Sequence, residues 1–534
     1  MSTTNTATTA STTADIPRTH FSGVVERLPP HVRQMLVAAS VMLAAIIQIL
    51  DTTIANVALP HMQGALSATE DQISWVLTSY IITAAIVMPM TGYISGRFGR
   101  KRMLVWSVAG FTIASALCGM AQSLPEAVIA RMLQGVFGAC LVPVSQSILL
   151  DIFPREQHAK AMSLWGIGVM VAPILGPTIG GWLTEYYSWR WAFYINLPVG
   201  ILSLFGIITL VHESDTDSER RFDVFGFFVL SISIGALQLM LDRGRTLYWF
   251  ESKEIIAEAI VSAVAFYMFV VHMFTHSRPF IEPALFKDRN FCVSMVLIFF
   301  VGVVLLATLA LLPPFLQNLI GYSVLDAGLI LAPRGAGTML GMIFVTRMMG
   351  KIDARFIIAL GGVFTCASLW LMTSFTLDVS KAAVVWVGFL QGVGLGFIFV
   401  PLSTVAFLTL DPALRTEGSA IYSLVRNIGS SIGISVVMTA LADNVQRNHA
   451  IFSEHITPFN HWLDWGVVPQ IWNTGTTQGL MALDGELLRQ AAQLAYLQDF
   501  QLILWMTLII VPLALFMKTD GAIDVSPNQH ELMD

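Results

Sequence analysis

An aspartate inside an apolar run is the residue whose chemistry most needs explaining. Asp51 stands in Leu50-Asp51-Thr52-Thr53-Ile54-Ala55-Asn56-Val57-Ala58-Leu59-Pro60. A carboxylate within a membrane helix costs about 2.5–3.5 kcal/mol on insertion scales, so it marks a functional candidate. A carboxyl group exposed in turn to the two sides of a membrane can load and unload a proton. The alternative is a structural ion pair. Arg131, in Arg131-Met132-Leu133-Gln134-Gly135, falls about two turns into another apolar run. A buried guanidinium stays charged and needs a counter-charge. It is either the partner of Asp51 or a packing arginine bonded to carbonyls, and spacing leaves both open.

Further motifs concern movement. One run carries Ala172-Pro173, then Gly176-Pro177-Thr178-Ile179-Gly180-Gly181. Small residues let helices approach closely, and proline removes a backbone donor. Such a helix is a hinge or seal between halves, or is bent for packing alone. The loop Gly92-Tyr93-Ile94-Ser95-Gly96-Arg97-Phe98-Gly99-Arg100-Lys101-Arg102 permits a tight turn between helices and presents basic residues to headgroups. Its Gly92, Arg97, Gly99 and Arg100 are candidates for a gate. Arg334 and Arg426 also lie well inside apolar runs. Each lines a polar cavity or fixes helix packing, the latter being the simpler reading, and Gln134 joins them as a cavity candidate. The aromatic stretch Trp189 to Asn196 reads as an interfacial anchor.

The elements that carry these residues must be membrane helices. Only 12% of the 534 residues are charged and 55% are hydrophobic, whereas a soluble domain has about 25% charged residues. Roughly 20 apolar residues span a bilayer core. Fourteen such runs occur, near 35–58, 73–95, 103–122, 125–150, 160–183, 191–211, 222–241, 255–274, 291–316, 324–348, 354–374, 382–408, 417–442 and 497–517. They are too long for barrel strands and lack period-two alternation. With the N-terminus in the cytoplasm, 19 of the 29 Lys and Arg fall in or beside cytoplasmic segments, seven in external ones and three within spans. Both termini are therefore expected in the cytoplasm. Residues 1–34 read as a disordered cytoplasmic tail and 518–534 as a cytoplasmic tail, with 443–496 as the one long external segment. Within that segment, Gly485–Tyr496 has the pattern of an amphipathic helix. Its His449, His455 and His461 have no metal spacing. The four cysteines read as buried hydrophobes, and no metal cluster is expected.

A weak repeat divides the chain. Leu133-Gln134-Gly135, Pro143-Val144-Ser145 and Asp151 are echoed by Leu390-Gln391-Gly392, Pro401-Leu402-Ser403 and Asp411. Repeated six-helix halves are a transporter signature. The expected architecture is an all-α membrane protein of the major facilitator fold. It comprises a six-helix bundle over 35–211, two extra helices over 212–290, and a second bundle over 291–517. Gly388 aligns with Arg131 and Val304 with Asp51, so the buried acid and base are expected in the N-terminal half alone.

The first-span motif through Pro60, the loop after span two, Arg131 to Gly135, Gly176 to Gly181 and Trp189 to Gly200 resemble the fourteen-helix drug:proton antiporters of the major facilitator superfamily. Leu241-Asp242-Arg243-Gly244 and Pro283 to Phe291 resemble the EmrB-type branch. The resemblance covers about residues 35–442 and implies an alternating-access exporter in a bacterial inner membrane. It would make Asp51 the proton site, Arg131 its charge partner, and Pro173, Gly176, Pro177, Gly180 and Gly181 the antiporter motif. It further implies a periplasmic adaptor (EmrA-like) and an outer-membrane channel. One departure is Gly96, where the pattern usually has Asp, which puts the usual charge relay of that loop in question.

The combined expectation is proton-driven export of hydrophobic or amphipathic compounds, in contact with lipid and not with nucleic acid. No Gly-x4-Gly-Lys-Ser/Thr motif occurs, so the proton gradient, with no cofactor, is the expected energy source. No enzymatic activity is expected. Rival readings are an exporter of an endogenous metabolite or siderophore, a proton-coupled uptake symporter, and a non-transporting receptor.

Overall fold

Each long apolar run becomes a helix whose start is set by local chemistry. In the computed structural model, residues 29–213, 222–456, 472 and 476–518 are described. Residues 1–28 and 519–534 of the expected tails, and His461, lie outside them. Helix α1 (Pro30–Ala65) begins with proline in its first turn, where a missing N–H costs nothing. Helix α2 (Glu70–Val87) begins at a capping box, Thr69 and Gln72 each bonding the other's backbone. It bends by 57° into α3 (Met90–Phe98). Gly99, at φ +92°, then turns the chain into α4 (Arg100–Met120), a backbone conformation that favours glycine.

Helices α5 (Leu124–Gly138) and α6 (Leu141–Ile152) together fill the fourth expected span, and α7 (His158–Tyr186) the fifth. A short α8 (Trp191–Tyr194) leads into α9 (Asn196–Leu210). Two helices follow, α10 (Val224–Arg243) and α11 (Lys253–Thr275). Next come α12 (Arg289–Pro314), α13 (Val324–Met348), α14 (Ala354–Met372) and α15 (Lys381–Leu408). The chain continues through α16 (Arg415–Ser453), α17 (Thr477–Leu508) and a last short α18 (Ile510–Ala514). Pro313 and Pro314 end α12 in a π turn over Phe315–Leu319.

Among the described residues, 12 helices are long and apolar enough to cross a membrane, and the bent α2–α3 pair makes up to 13. The expected count of fourteen is not reached by that measure. Helix α7 stands at the fifth expected run but includes side chains outside the described set. The outer surface is apolar, as lipid contact requires: Ile256, Ile260, Val264, Tyr267 and Phe274 of α11 are all exposed.

The segment 443–496 is not the loop expected. Helix α16 continues to Ser453 and α17 starts at Thr477, so both helices extend into the segment. Asn448 bonds the Ala491 carbonyl and Gln498, and His449 pairs with Asp484 at 2.8 Å. These polar contacts accompany the buried Leu483, Ala491 and Ala495 of α17. The expected helix over Gly485–Tyr496 is part of α17.

Helix α10 touches both bundles. Thr78 of α2 bonds Asp242, Gln238 bonds Ser431 of α16 at 2.6 Å, and the Leu241 carbonyl accepts from Ser435 at 2.8 Å. Its first turn is held by Asp223, which accepts from the N–H groups of Gly226 and Phe280, both at 2.9 Å, and meets His272 of α11 at 2.9 Å. His276 stacks on His272 with ring centroids 4.7 Å apart. Ligand atoms of Asp223, His272 and His276 all lie within 4.8 Å of one another, a grouping that sequence spacing did not reveal. The carboxylate is already engaged as a helix cap, which makes the group a clasp between α10 and α11.

Burial pushes the Asp223 carboxyl up, but the Gly226 N–H, His272 and the Phe280 N–H outweigh it and hold it below the ordinary carboxylate range. A depressed carboxylate stabilises the fold above its unfolded-state range, and that contribution is lost as pH falls through the folded value. Asp223→Ala is therefore expected to cost about 0.5–2 kcal/mol at neutral pH. Thermal melts of wild type and variant should converge as the solution is acidified through the carboxylate range.

Candidate functional site

The buried acid of α1 lies against the buried base of α5. Asp51 is 1% exposed, and Arg131, Gln134 and Asn196 are fully buried. Arg131 Nη1 donates to Asp51 Oδ2 at 2.6 Å. Gln134 Nε2 and Asn196 Nδ2 donate to Oδ1 at 2.8 and 2.7 Å. The carboxylate thus accepts three hydrogen bonds, one of them from a full charge. Arg131 also donates from Nε to the Val76 carbonyl at 3.1 Å and from Nη1 to Gln134 Oε1 at 2.7 Å. Its guanidinium lies 4.3 Å from the Tyr80 ring centroid and 5.7 Å from that of Phe193, a cation–π cage that compensates part of its desolvation.

Four helices converge on this carboxylate, so its charge state is tied to the packing of the N-terminal bundle. Helix α1 carries Asp51, α5 carries Arg131 and Gln134, α9 carries Asn196, and α2 supplies Tyr80 and the Val76 carbonyl. Asn196 sits at the start of α9, where its amide also bonds Ser115 of α4 at 3.0 Å. It belongs to the stretch expected to act only as an interfacial anchor. Its signal in the sequence was an amide at the edge of an apolar run.

The α7 motif presses on the same helix. A side-chain carbon at Gly176 would collide with Thr53, two residues from Asp51, and one at Gly180 would come within 3.3 Å of the Ile54 Cα. Gly181 has open space around it. Pro173 is partly buried, while the side chain of Pro177 is outside the described set. Gly176 and Gly180 therefore pack within the N-terminal bundle. Contact with the other bundle comes both from Thr178 within the motif, whose Oγ1 lies 3.6 Å from the position a Gly328 side chain of α13 would take, and from Trp165, which stacks on Phe399 of α15 at 5.8 Å and 9°.

The glycine-rich turn meets the other half directly. A side-chain carbon on Gly92 would come within 2.7 Å of the Glu417 Cβ of α16. Arg100 is ion-paired with Asp151 at the end of α6 and donates to the Pro412 carbonyl at 3.3 Å. Asp151 also meets Arg415 of α16 at 3.3 Å. One carboxylate thus holds a cation from each half. Ser147 bonds Thr416 and Ser419 bonds Gln146, both at 2.8 Å. Arg97 reaches Tyr93 at 3.0 Å. Glu213 receives the Lys101 backbone N–H at 3.2 Å and lies 3.5 Å from Arg102. Asp151, Glu213 and Glu417 supply the acids around this turn. At this basic end the two bundles are fastened together.

In the C-terminal bundle, Gln391 repeats the placement of Gln134: its Nε2 donates to Thr308 of α12 at 3.3 Å, as Gln134 donates to α1. Gly388, the counterpart of Arg131, leaves room for Arg334, whose Cβ lies 3.8 Å from the position a Gly388 side chain would take. Arg334 is 6% exposed, touches the Leu305 carbonyl at 3.5 Å, and leaves Nη1 without a partner among the described residues. Arg426 is half-buried, and its carbonyl packs on Gly302. Neither arginine joins the Asp51 cluster. The expectation that buried acid is confined to the N-terminal half requires correction, because Asp499 of α17 is fully buried. It lies at the outer edge of the last apolar run, where the sequence reads as a span boundary.

The Major Facilitator Superfamily profile matches residues 41–434. The chain is 37% identical over 427 residues to the fatty acid resistance protein FarB of Neisseria gonorrhoeae, covering 79% of this chain and 84% of that one. It is 34% identical over 428 residues to the multidrug export protein EmrB of Escherichia coli K12, covering 80% and 84%. The probable multidrug resistance protein EmrY of the same organism is 32% identical over 471 residues, covering 85% and 92%. Among solved structures, the proton:xylose symporter XylE aligns with a TM-score of 0.57 at 15% identity, over 91% of this chain and 97% of that one. The human organic anion transporter MFSD10 aligns with a TM-score of 0.55 at 14% identity, over 90% and 100%. These structural likenesses concern the fold alone.

Proposed function

This chain belongs to the major facilitator superfamily, in its EmrB-type branch, and from that premise we propose that it exports hydrophobic and amphipathic compounds across a bacterial inner membrane in exchange for protons. The observation that carries the proposal is the buried Asp51 carboxylate bonded by Arg131, Gln134 and Asn196. A proton arriving on Asp51 removes its charge and releases the guanidinium from its counter-ion. Arg131 then requires other partners, and α1, α2, α5 and α9 must adjust to provide them. Substrate binding between the bundles favours the arrangement in which Asp51 is ionised. Proton and substrate thereby stabilise different states, which is what exchange requires.

In this reading both termini and the fastened basic end are cytoplasmic, and the state described is closed on that side. Alternating access breaks the Arg100–Asp151–Arg415 cluster and rejoins it in each cycle. Asp151→Asn keeps the shape but removes the charge shared by both halves. It is expected to raise the accessibility of a cysteine introduced near Thr416 to a membrane-impermeant thiol reagent applied from the cytoplasmic side. Unchanged labelling would show that the cluster does not hold the gate. The projecting ends of α16 and α17 are the proposed docking place for a periplasmic adaptor of a tripartite pump with an outer-membrane channel.

The test of the function is uptake into inverted membrane vesicles. An imposed proton gradient, acidic inside, should drive accumulation of tetraphenylphosphonium or oleate, and a protonophore should collapse it. Accumulation indifferent to the gradient would exclude proton exchange.

A further inference from the structure

The C-terminal bundle contains a carboxylate that the Asp51 mechanism does not use. Asp499 is fully buried in α17, and neither of its oxygens has a hydrogen-bond partner among the described residues. Aromatic side chains crowd the same turns. Phe500 packs edge-on against Phe315 and Phe375, and Tyr496 lies one turn before Asp499 and meets Phe315 at 5.3 Å.

The helices packed on α17 bring no cation to this acid. Helix α12 carries only Arg289 and α14 only Arg355, both at the opposite ends of those helices. The Phe315–Leu319 turn and α18 carry no charge. From α16 the side chain set against Asp499 is Asn444, while Asp443 and Arg447 beside it are exposed. The titratable groups of α17 are Tyr496 and, farther out, Arg489 with Glu486 and the Asp484 that meets His449.

A carboxylate ion in such surroundings is costly, because among the described residues no cation stands beside it and the Asn444 amide is the single neutral donor set against it. The neutral acid avoids that cost. We propose that Asp499 is a proton-binding site of the C-terminal half, holding its proton at neutral pH while α16 and α17 stay packed. The step is simple in its balance: one proton from water joins a carboxylate oxygen, the charge rises from minus one to zero, and the proton returns to water when the interface is hydrated.

The route to water is visible in the polar side chains. Asn444 is followed one turn outward by Asn448, which bonds Gln498 at 3.3 Å, and then by the His449–Asp484 pair on the exposed projection.

The experiment uses the purified full chain in detergent with no substrate, so its outcome does not depend on the export reading. Infrared difference spectra at neutral pH should show a protonated-carboxyl stretch that persists in Asp51→Asn and disappears in Asp499→Asn. Asp499→Glu, which keeps the acid, should shift the band without removing it. On a jump to alkaline pH, the wild type should release one proton more per chain than Asp499→Asn, counted with a pH dye. Asparagine mimics the neutral acid, so equal melting at neutral pH serves as the folding control. A band unchanged in Asp499→Asn, or equal proton counts, would overturn the proposal while leaving exchange through Asp51 standing.

Discussion

Asp51→Asn is expected to abolish gradient-driven export and reduce accumulation in inverted vesicles to the passive level. The amide keeps the size of the side chain and can still meet Gln134 and Asn196, so the bundle should fold. It cannot take part in a charge change, and the bond to Arg131 Nη1 at 2.6 Å loses its ionic component. Binding of tetraphenylphosphonium, measured by equilibrium dialysis, should weaken without vanishing, because the amide mimics the protonated acid while substrate favours the ionised one. Full export by the variant would place the coupling proton elsewhere.

Arg131→Met is expected to have the largest effect on stability. The substitution leaves the Asp51 carboxylate buried with only two neutral donors, and breaking a buried pair in this way costs about 3–5 kcal/mol. The cage of Tyr80 and Phe193 also loses its cation. The double variant Asp51→Asn/Arg131→Met removes both charges and should recover most of the loss. The difference between single and double variants measures the coupling between the two groups. Melting in detergent, followed by a thiol-reactive dye on the buried cysteines, provides the readout. Additive losses would show that the pair is energetically independent.

Much of this was legible in the sequence because charge inside an apolar run is expensive. Asp51 and Arg131 stood out for that reason, and the glycines of α7 because small residues permit the close approach seen at Thr53 and Ile54. Proximity was not legible: an arginine 80 residues from its partner is placed by the packing of α1, α2 and α5. Asn196 was hidden by the aromatic residues before it, and Asp499 by its place at the end of a run. Asp151 was visible only as a marker of the internal repeat. Its role depends on Arg415, which belongs to the other bundle and whose contact no local pattern encodes. The projecting ends of α16 and α17 were read as loop because polar residues such as Asn448, His449 and Asp484 interrupt the apolar pattern there.

The repeat and the charge asymmetry also take a more definite form. Gln134 and Gln391 hold matching places, but one bonds an acid and the other a threonine. Gly388 gives up the arginine position, and Arg334 from a different helix packs beside it. Equivalent scaffolds thus carry different charges.

The most direct test of the account is substrate-dependent proton release at neutral pH, measured with a pH dye on purified protein in weakly buffered detergent, wild type beside Asp51→Asn. Tetraphenylphosphonium and oleate serve as probes. The account predicts that at least one probe releases protons from the wild type and none releases them from Asp51→Asn. Equal release from both proteins would contradict it.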